Sequence, residues 1–209
     1  GKVRVWGSLA FVIGSAFTGK MIAVFGHGAI LSALTAGLAA MLLGMLLRPA
    51  VPPKADAQAA ERGAIPWREL LRQPPVRQFL LCVTLLQAAH AGYYSFSALY
   101  WQEAGYPASV VGYLWSLGVV AEVLVFTFSR QLFSRWSARH LLLLSACCGV
   151  VRWALMGSFI GLPWLVVMQL LHCGSFTVCH LAAMRFIAAR QGAEVIRLQS
   201  LYSALAMGG

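Results

Sequence analysis

Acidic side chains are scarce in this chain: six Asp and Glu in 209 residues. Charged residues of either sign make up 11%, less than half of the ~25% that coats a typical soluble domain. Hydrophobic residues reach 60% and the mean hydropathy is +0.75, which excludes an ordinary water-soluble fold. Also missing are the ten-residue alternating segments that a membrane barrel would need. Only helices then satisfy their own backbone polar groups in lipid, so the chain reads as an all-α membrane protein. At ~20 apolar residues per crossing, its length admits about six or seven spans. No initiating Met is present. The chain opens on Gly1-Lys2 and stops inside an apolar run at residues 206–209, so it reads as an internal piece of a longer protein.

The apolar runs can be counted directly. Residues 5–25 and 28–47 are separated only by Gly26-His27 and read as a helical hairpin. Residues 48–78 change composition, with six prolines and alternating charges, and read as a connecting loop. Runs at 79–101, 104–129, 141–161 and 162–184 follow, and 198–209 begins another, giving six complete spans and the start of a seventh. The net charge of +10 could signal a nucleic-acid partner, but the positions of the basic residues decide otherwise. Fourteen of the sixteen fall at alternate ends of successive spans, from Lys2 and Arg4 to Arg185, Arg190 and Arg197. All fourteen therefore share one side, which positive-inside sorting makes cytoplasmic, loop 48–78 included. The basic charge is a topology signal, and no nucleic-acid partner is expected. Trp101 and Trp164 are expected at the outer interface, Trp67 and Trp136 at the inner one.

Several features have structural readings. Small residues four apart, at Ser32, Ala36, Ala40 and Gly44 and at Ala10, Gly14 and Thr18, would let helix backbones approach closely. Residues 65–72, with Trp67, Leu70 and Leu71 on one side, read either as a short helix on the inner membrane surface or as a partly ordered loop. The five Cys lie within spans and read as small hydrophobes. His172-Cys173 and Cys179-His180 suggest a metal box, but helical residues seven apart lie ~10 Å apart along the axis, too far to share one zinc. No metal or cofactor is implied.

Four ionisable groups lie deep inside spans: His90, Glu122, Arg152 and His172, at similar depth on four different helices. An unpaired charge at the bilayer centre costs at least ~2.5–3.5 kcal/mol, so these side chains should face a bundle interior or a wet cavity. Glu122 and Arg152 differ in depth by roughly 6 Å, within reach of two long side chains. They form either a static ion pair or, with the His residues, a proton-coupling cluster, because burial favours the protonated carboxyl and imidazole titrates near neutral pH. Helical spacing puts Val111, Trp115, Gly118 and Glu122 on one face, Gln87, His90 and Tyr94 on a second, and Gln169, His172, Phe176 and Cys179 on a third. Such a cavity suits a small organic molecule with a flat apolar body and a polar or anionic head, although for each aromatic taken alone plain helix packing is the stronger reading. The chain has no nucleophile with a positioned base, no glycine-rich phosphate loop and no HExxH. An integral membrane enzyme is therefore the weaker class, and a uniform channel pore weaker still.

Four stretches carry a resemblance. They are Gly-Lys-Val-Arg-Val-Trp-Gly-Ser (1–8), Leu-Leu-Gln-Ala-Ala-His-Ala-Gly-Tyr-Tyr (85–94), Val-Gly-Tyr-Leu-Trp-Ser-Leu-Gly-Val-Val-Ala-Glu (111–122) and Leu-His-Cys-Gly-Ser-Phe-Thr-Val-Cys-His (171–180). Across essentially the whole chain the sequence resembles the lactose-permease-like branch of the major facilitator superfamily. That resemblance implies twelve helices in two pseudosymmetric halves. Residues 1–47 would be the last two helices of the first half, 48–78 the central cytoplasmic loop, and 79–209 the first four helices of the second half with the start of the next. It implies a monomeric carrier in the inner membrane, taking up an aromatic carboxylate with protons by alternating access, with oligosaccharides or nucleosides as alternative cargo. Arg4 matches a family Arg and is expected either to clamp the substrate carboxylate or to be a plain flanking charge. Gln87, His90, Tyr94 and Trp115 complete the expected substrate site, and Glu122, Arg152 and His172 the expected proton-coupling set. The sequence departs from the family at Ser175, where an acid usually follows the His by one turn, so Glu122 must supply the carboxylate. It also departs at Ser134, where an Asp usually precedes the retained Arg135 and Arg139.

Overall fold

The computed structural model describes residues 2–46 and 66–206, and the remaining expectations for loop 48–78 lie outside the described residues. Helix α1 (Lys2–Phe25) and α2 (Ala29–Leu46) form the hairpin, reversed at Gly26, whose φ of 74° a residue with a side chain would resist. A short helix α3 (Trp67–Arg72) leads into α4 (Pro74–Glu103), then α5 (Ala108–Phe133), α6 (Ala138–Ser158), α7 (Leu162–Ser175), α8 (Thr177–Ala188) and α9 (Ala193–Ala206). Helix α4 starts five residues before the apolar run that predicted it. Pro74 and Pro75 open its first turn, where amide hydrogens have no helical partner and proline costs nothing. Gly105, with a φ of 94°, and Pro107 turn the chain from α4 into α5. Ser137 caps α6, its hydroxyl accepting from the His140 amide at 3.3 Å.

Four segments are long and apolar enough to cross a membrane: Pro74–Glu103, Ala108–Phe133, Ala138–Ser158 and Leu162–Ala188. Two shorter apolar helical stretches, Ala10–Phe25 and Ala29–Gly44, precede them. The last long segment is α7 and α8 in succession, interrupted at Phe176. A cause lies in α6: the Ser145 hydroxyl donates to the Ser175 carbonyl at 2.6 Å, taking an acceptor from the helical ladder.

Helices α1 and α5 make the tightest backbone approach. They run antiparallel with Ser15 and Gly19 against Gly112 and Ser116, and a methyl added at Gly112 would lie 2.8 Å from the Ser15 carbonyl oxygen. The two serine hydroxyls meet at 2.8 Å. This corrects the expected contact stripes. The face that packs is Ser15–Gly19, one residue along from Gly14–Thr18, because two small-residue series four apart overlap in α1 and only partner shape chooses between them. Gly14, Gly37 and Gly44 have no neighbour within 4 Å of an added methyl.

Below the site, Leu70, Val76, Phe79, Leu80, Val83, Cys179, Ala183, Ile187, Leu198 and Tyr202 form one apolar core. Buried Leu70 ties α3 to it, while Leu71 stays exposed and half-open Trp67 lies under the Arg197 guanidinium of α9 at 4.6 Å. Above the site lies a second core with Tyr93, Trp101, Val111, Leu114, Leu165 and Met168. Trp101 is 1% exposed, which overturns its interfacial reading: the indole turns inward against the edge of Tyr93. Trp67, Trp136 and Trp164 are all exposed.

Candidate functional site

Between the two cores is a cavity of about 480 Å³, within the range of small-molecule sites, lined from α1, α4, α5 and the α7–α8 bend. Its walls are aromatic. Tyr93 and Trp115 stack with ring centres 5.1 Å apart, Tyr94 leans on Trp115 at 5.6 Å, and His172 lies nearly parallel to Phe176 at 5.4 Å. Phe11 closes the α1 side, and Gly118 and Val119 leave the floor low. A methyl at Gly118 would stand 3.0 Å from the Gln169 side-chain oxygen. That amide is held in place, since the Tyr93 hydroxyl donates to its oxygen at 2.9 Å and its nitrogen donates back to the hydroxyl oxygen at 2.8 Å.

The charge in this apolar box is concentrated on one contact. Glu122 Oε1 lies 3.1 Å from His172 Nε2, and both side chains are largely buried. The Tyr94 hydroxyl is 3.3 Å from the same nitrogen. His172 Nδ1 is buried with no hydrogen-bond partner among the described residues, so a proton placed on Nε2, facing the carboxylate, leaves no donor stranded. The expected Glu122–Arg152 contact is replaced by this Glu122–His172 contact. Arg152 sits on the far side of Tyr93, its guanidinium 4.0 Å from the ring centre, 1% exposed, with none of its three nitrogens hydrogen-bonded among the described residues. Tyr93 is thus sandwiched between Trp115 on the cavity side and a buried cation behind, a cation–π contact worth about 2 kcal/mol when desolvated.

Of the expected substrate residues, Tyr94 and Trp115 line the cavity and Gln87 and His90 do not. The spacing of Gln87, His90 and Tyr94 does put them on one stripe of α4. The rings of His172 and Phe176 stand edge-on before His90, at 5.2 and 5.6 Å, because the α7–α8 bend pushes them there. His90 instead bonds through Nδ1 to the Leu86 carbonyl at 2.8 Å and through Nε2 to the Ser175 hydroxyl at 3.0 Å. It faces a separate crevice between α4 and α6. Gln87 is buried one turn before His90. The backbone of Arg4 lies in α1, and its side chain is outside the described residues. Tyr93 and Phe11 line the site without having been selected from sequence, while Gln169 lies there on the cavity face expected for it. Tyr93 was legible in principle, since positions three and four after His90 share its face equally.

A bundle of membrane-length helices around an aromatic chamber with an ionisable contact on one wall defines a multi-pass helical membrane protein. It belongs to the MFS_1 like family, which matches residues 1–209. The helical bundle and this match together bear out the all-α, major-facilitator-type fold expected from the sequence. The chain is 64% identical over 210 residues to the protein named "Probable 3-phenylpropionic acid transporter" of Escherichia coli (strain K12), covering 100% of this chain and 55% of that relative. The chain thus spans about half the length of the curated relative it matches. No solved structure matches it.

Proposed function

We propose that the protein carries an aromatic carboxylate, of which 3-phenylpropionate is the leading candidate, across the cell membrane together with a proton. The single observation behind this is one cavity lined by both the stacked Tyr93–Trp115 wall and the adjoining Glu122–His172 contact. A phenyl ring gains from aromatic stacking there, and a carboxylate brings a charge that the site must balance. The relative's name supports the same cargo.

Glu122 is the proposed coupling acid. Protonation would neutralise the carboxylate that lines the chamber and leave a side chain that reorients at lower electrostatic cost. Arg4 is the proposed clamp for the substrate carboxylate. The antiparallel α1–α5 register, Gly19 to Gly112 and Ser15 to Ser116, continues to bring position 4 level with the turn that follows Glu122. Arg152, behind Tyr93, holds positive potential on that wall, and Tyr94 and Trp115 hold the ring. Residues 1–47 and 79–209 would belong to the two halves that rock about this site, with 48–78 as the cytoplasmic connection.

Reconstituted full-length protein should accumulate labelled 3-phenylpropionate when an acid-outside pH gradient is imposed, and recover it chemically unchanged. Excess sugar or nucleoside should not compete. Uptake indifferent to the gradient would end the symport reading, and displacement by sugar or nucleoside would end the aromatic-acid reading.

A further inference from the structure

A second cavity, of about 570 Å³, opens at the end of the bundle that carries the basic residues, and it is lined by Arg130, Gln131, Ser134 and Arg185. Arg130 lies in the last turn of α5 and Arg185 in the last turn of α8. Arg185 also donates to the Trp136 carbonyl, which fixes one edge of its guanidinium. The ion pairs among the described residues, Glu122–His172 and Arg190–Glu194, leave both of these arginines without a carboxylate. Two helix C-termini offset them only partly, at roughly half a charge each. About one positive charge is left over in the cavity, and Arg135 and Arg139 stand nearby on the same turn and helix start. Among the described residues no carboxylate lines this cavity, and the wall between the two arginines carries the uncharged Ser134.

We propose that this cavity binds the phosphate headgroup of a singly charged anionic glycerophospholipid. Arg130 and Arg185 grip the phosphate oxygens, and the Ser134 hydroxyl and Gln131 amide complete the donors. A lipid fits better than a dissolved anion. The cavity sits at the end of membrane-length helices, beside Trp136, which is 41% exposed as an interfacial indole would be. Anionic lipid is also enriched on the leaflet that basic residues face.

Native mass spectrometry of the detergent-purified full-length protein, exposed to equal phosphatidylglycerol and phosphatidylcholine, tests the assignment. The unaltered protein is expected to retain phosphatidylglycerol about tenfold over phosphatidylcholine. The Arg130→Gln/Arg185→Gln pair should bring retention close to parity. So should Ser134→Asp, which supplies an internal acid while keeping every arginine and guards against loss of fold. Arg130→Lys/Arg185→Lys should keep a reduced preference, and millimolar inorganic phosphate should leave the preference intact. A preference that survives Ser134→Asp, one that free phosphate abolishes, or none in the unaltered protein would overturn the assignment.

Discussion

At the scale of single residues, two side chains divide the work of the chamber between charge and shape. Glu122 touches the imidazole of His172 at 3.1 Å, so its proton can be taken up or released without moving heavy atoms far. Glu122→Gln keeps the size and a hydrogen bond but cannot ionise. Exchange of substrate across the membrane should continue, while accumulation driven by a pH gradient falls to the level without a gradient. A gradient-driven rate equal to the unaltered protein's would remove Glu122 from the coupling role. Gly118 governs shape. A branched side chain there would collide with the Gln169 amide that Tyr93 holds, and overpacking of this kind costs about 1–3 kcal/mol. Gly118→Val should raise the KM for an aromatic acid on the order of tenfold or more and lower the melting temperature by several degrees. The measurement is concentration-dependent uptake beside a melting curve. His90 and Gln87 share a stripe with Tyr94, yet two rings from the bent α7–α8 segment screen His90 from the cavity. Nothing in α4 alone announces that.

At the scale of elements, two junctions position the site. The α1–α5 pair is held by backbones in near contact, through Ser15, Gly19, Gly112 and Ser116, and this delivers Phe11 to the chamber wall. Gly112→Leu must separate the helices, since even one methyl would sit 2.8 Å from a carbonyl oxygen. Its expected cost is about 1–3 kcal/mol, read as a melting temperature lowered by several degrees, and Gly14→Leu, on the open face, should cost far less. Equal losses from the two substitutions would mean that α1 does not pack on α5 in this register. The bend at Phe176 is the other junction. It sets the stacked His172–Phe176 rings between His90 and Tyr94. The apolar run at 162–184 gave the span, but a hydroxyl from another helix, Ser145, supplies a reason for it to break.

At the scale of the whole molecule, the distribution of charge makes a topological claim. In the sequence, fourteen of sixteen basic residues fall at one set of span ends, and the turns at Gly105 and Gly161 fall at the other. With native cysteines replaced, a single cysteine at Ser134 should react with a membrane-impermeant maleimide only after cells are opened, and one at Ala104 should react in intact cells. The reverse pattern would invert the molecule in the membrane and move the anionic-lipid cavity to the outer leaflet.

Hydropathy was sufficient for the helices and their approximate limits, because lipid penalises every exception to a simple rule along one dimension. Membership in a major-facilitator type of fold was legible from four local stretches. Which groups touch was not. Glu122 could reach Arg152 or His172 by depth alone, Trp101 could sit at an interface or under Tyr93, and two overlapping small-residue series competed for one contact. Each choice depends on rotation of helices about their axes and on a bend imposed by a neighbour. Those are decided only when several packed surfaces must fit together at once.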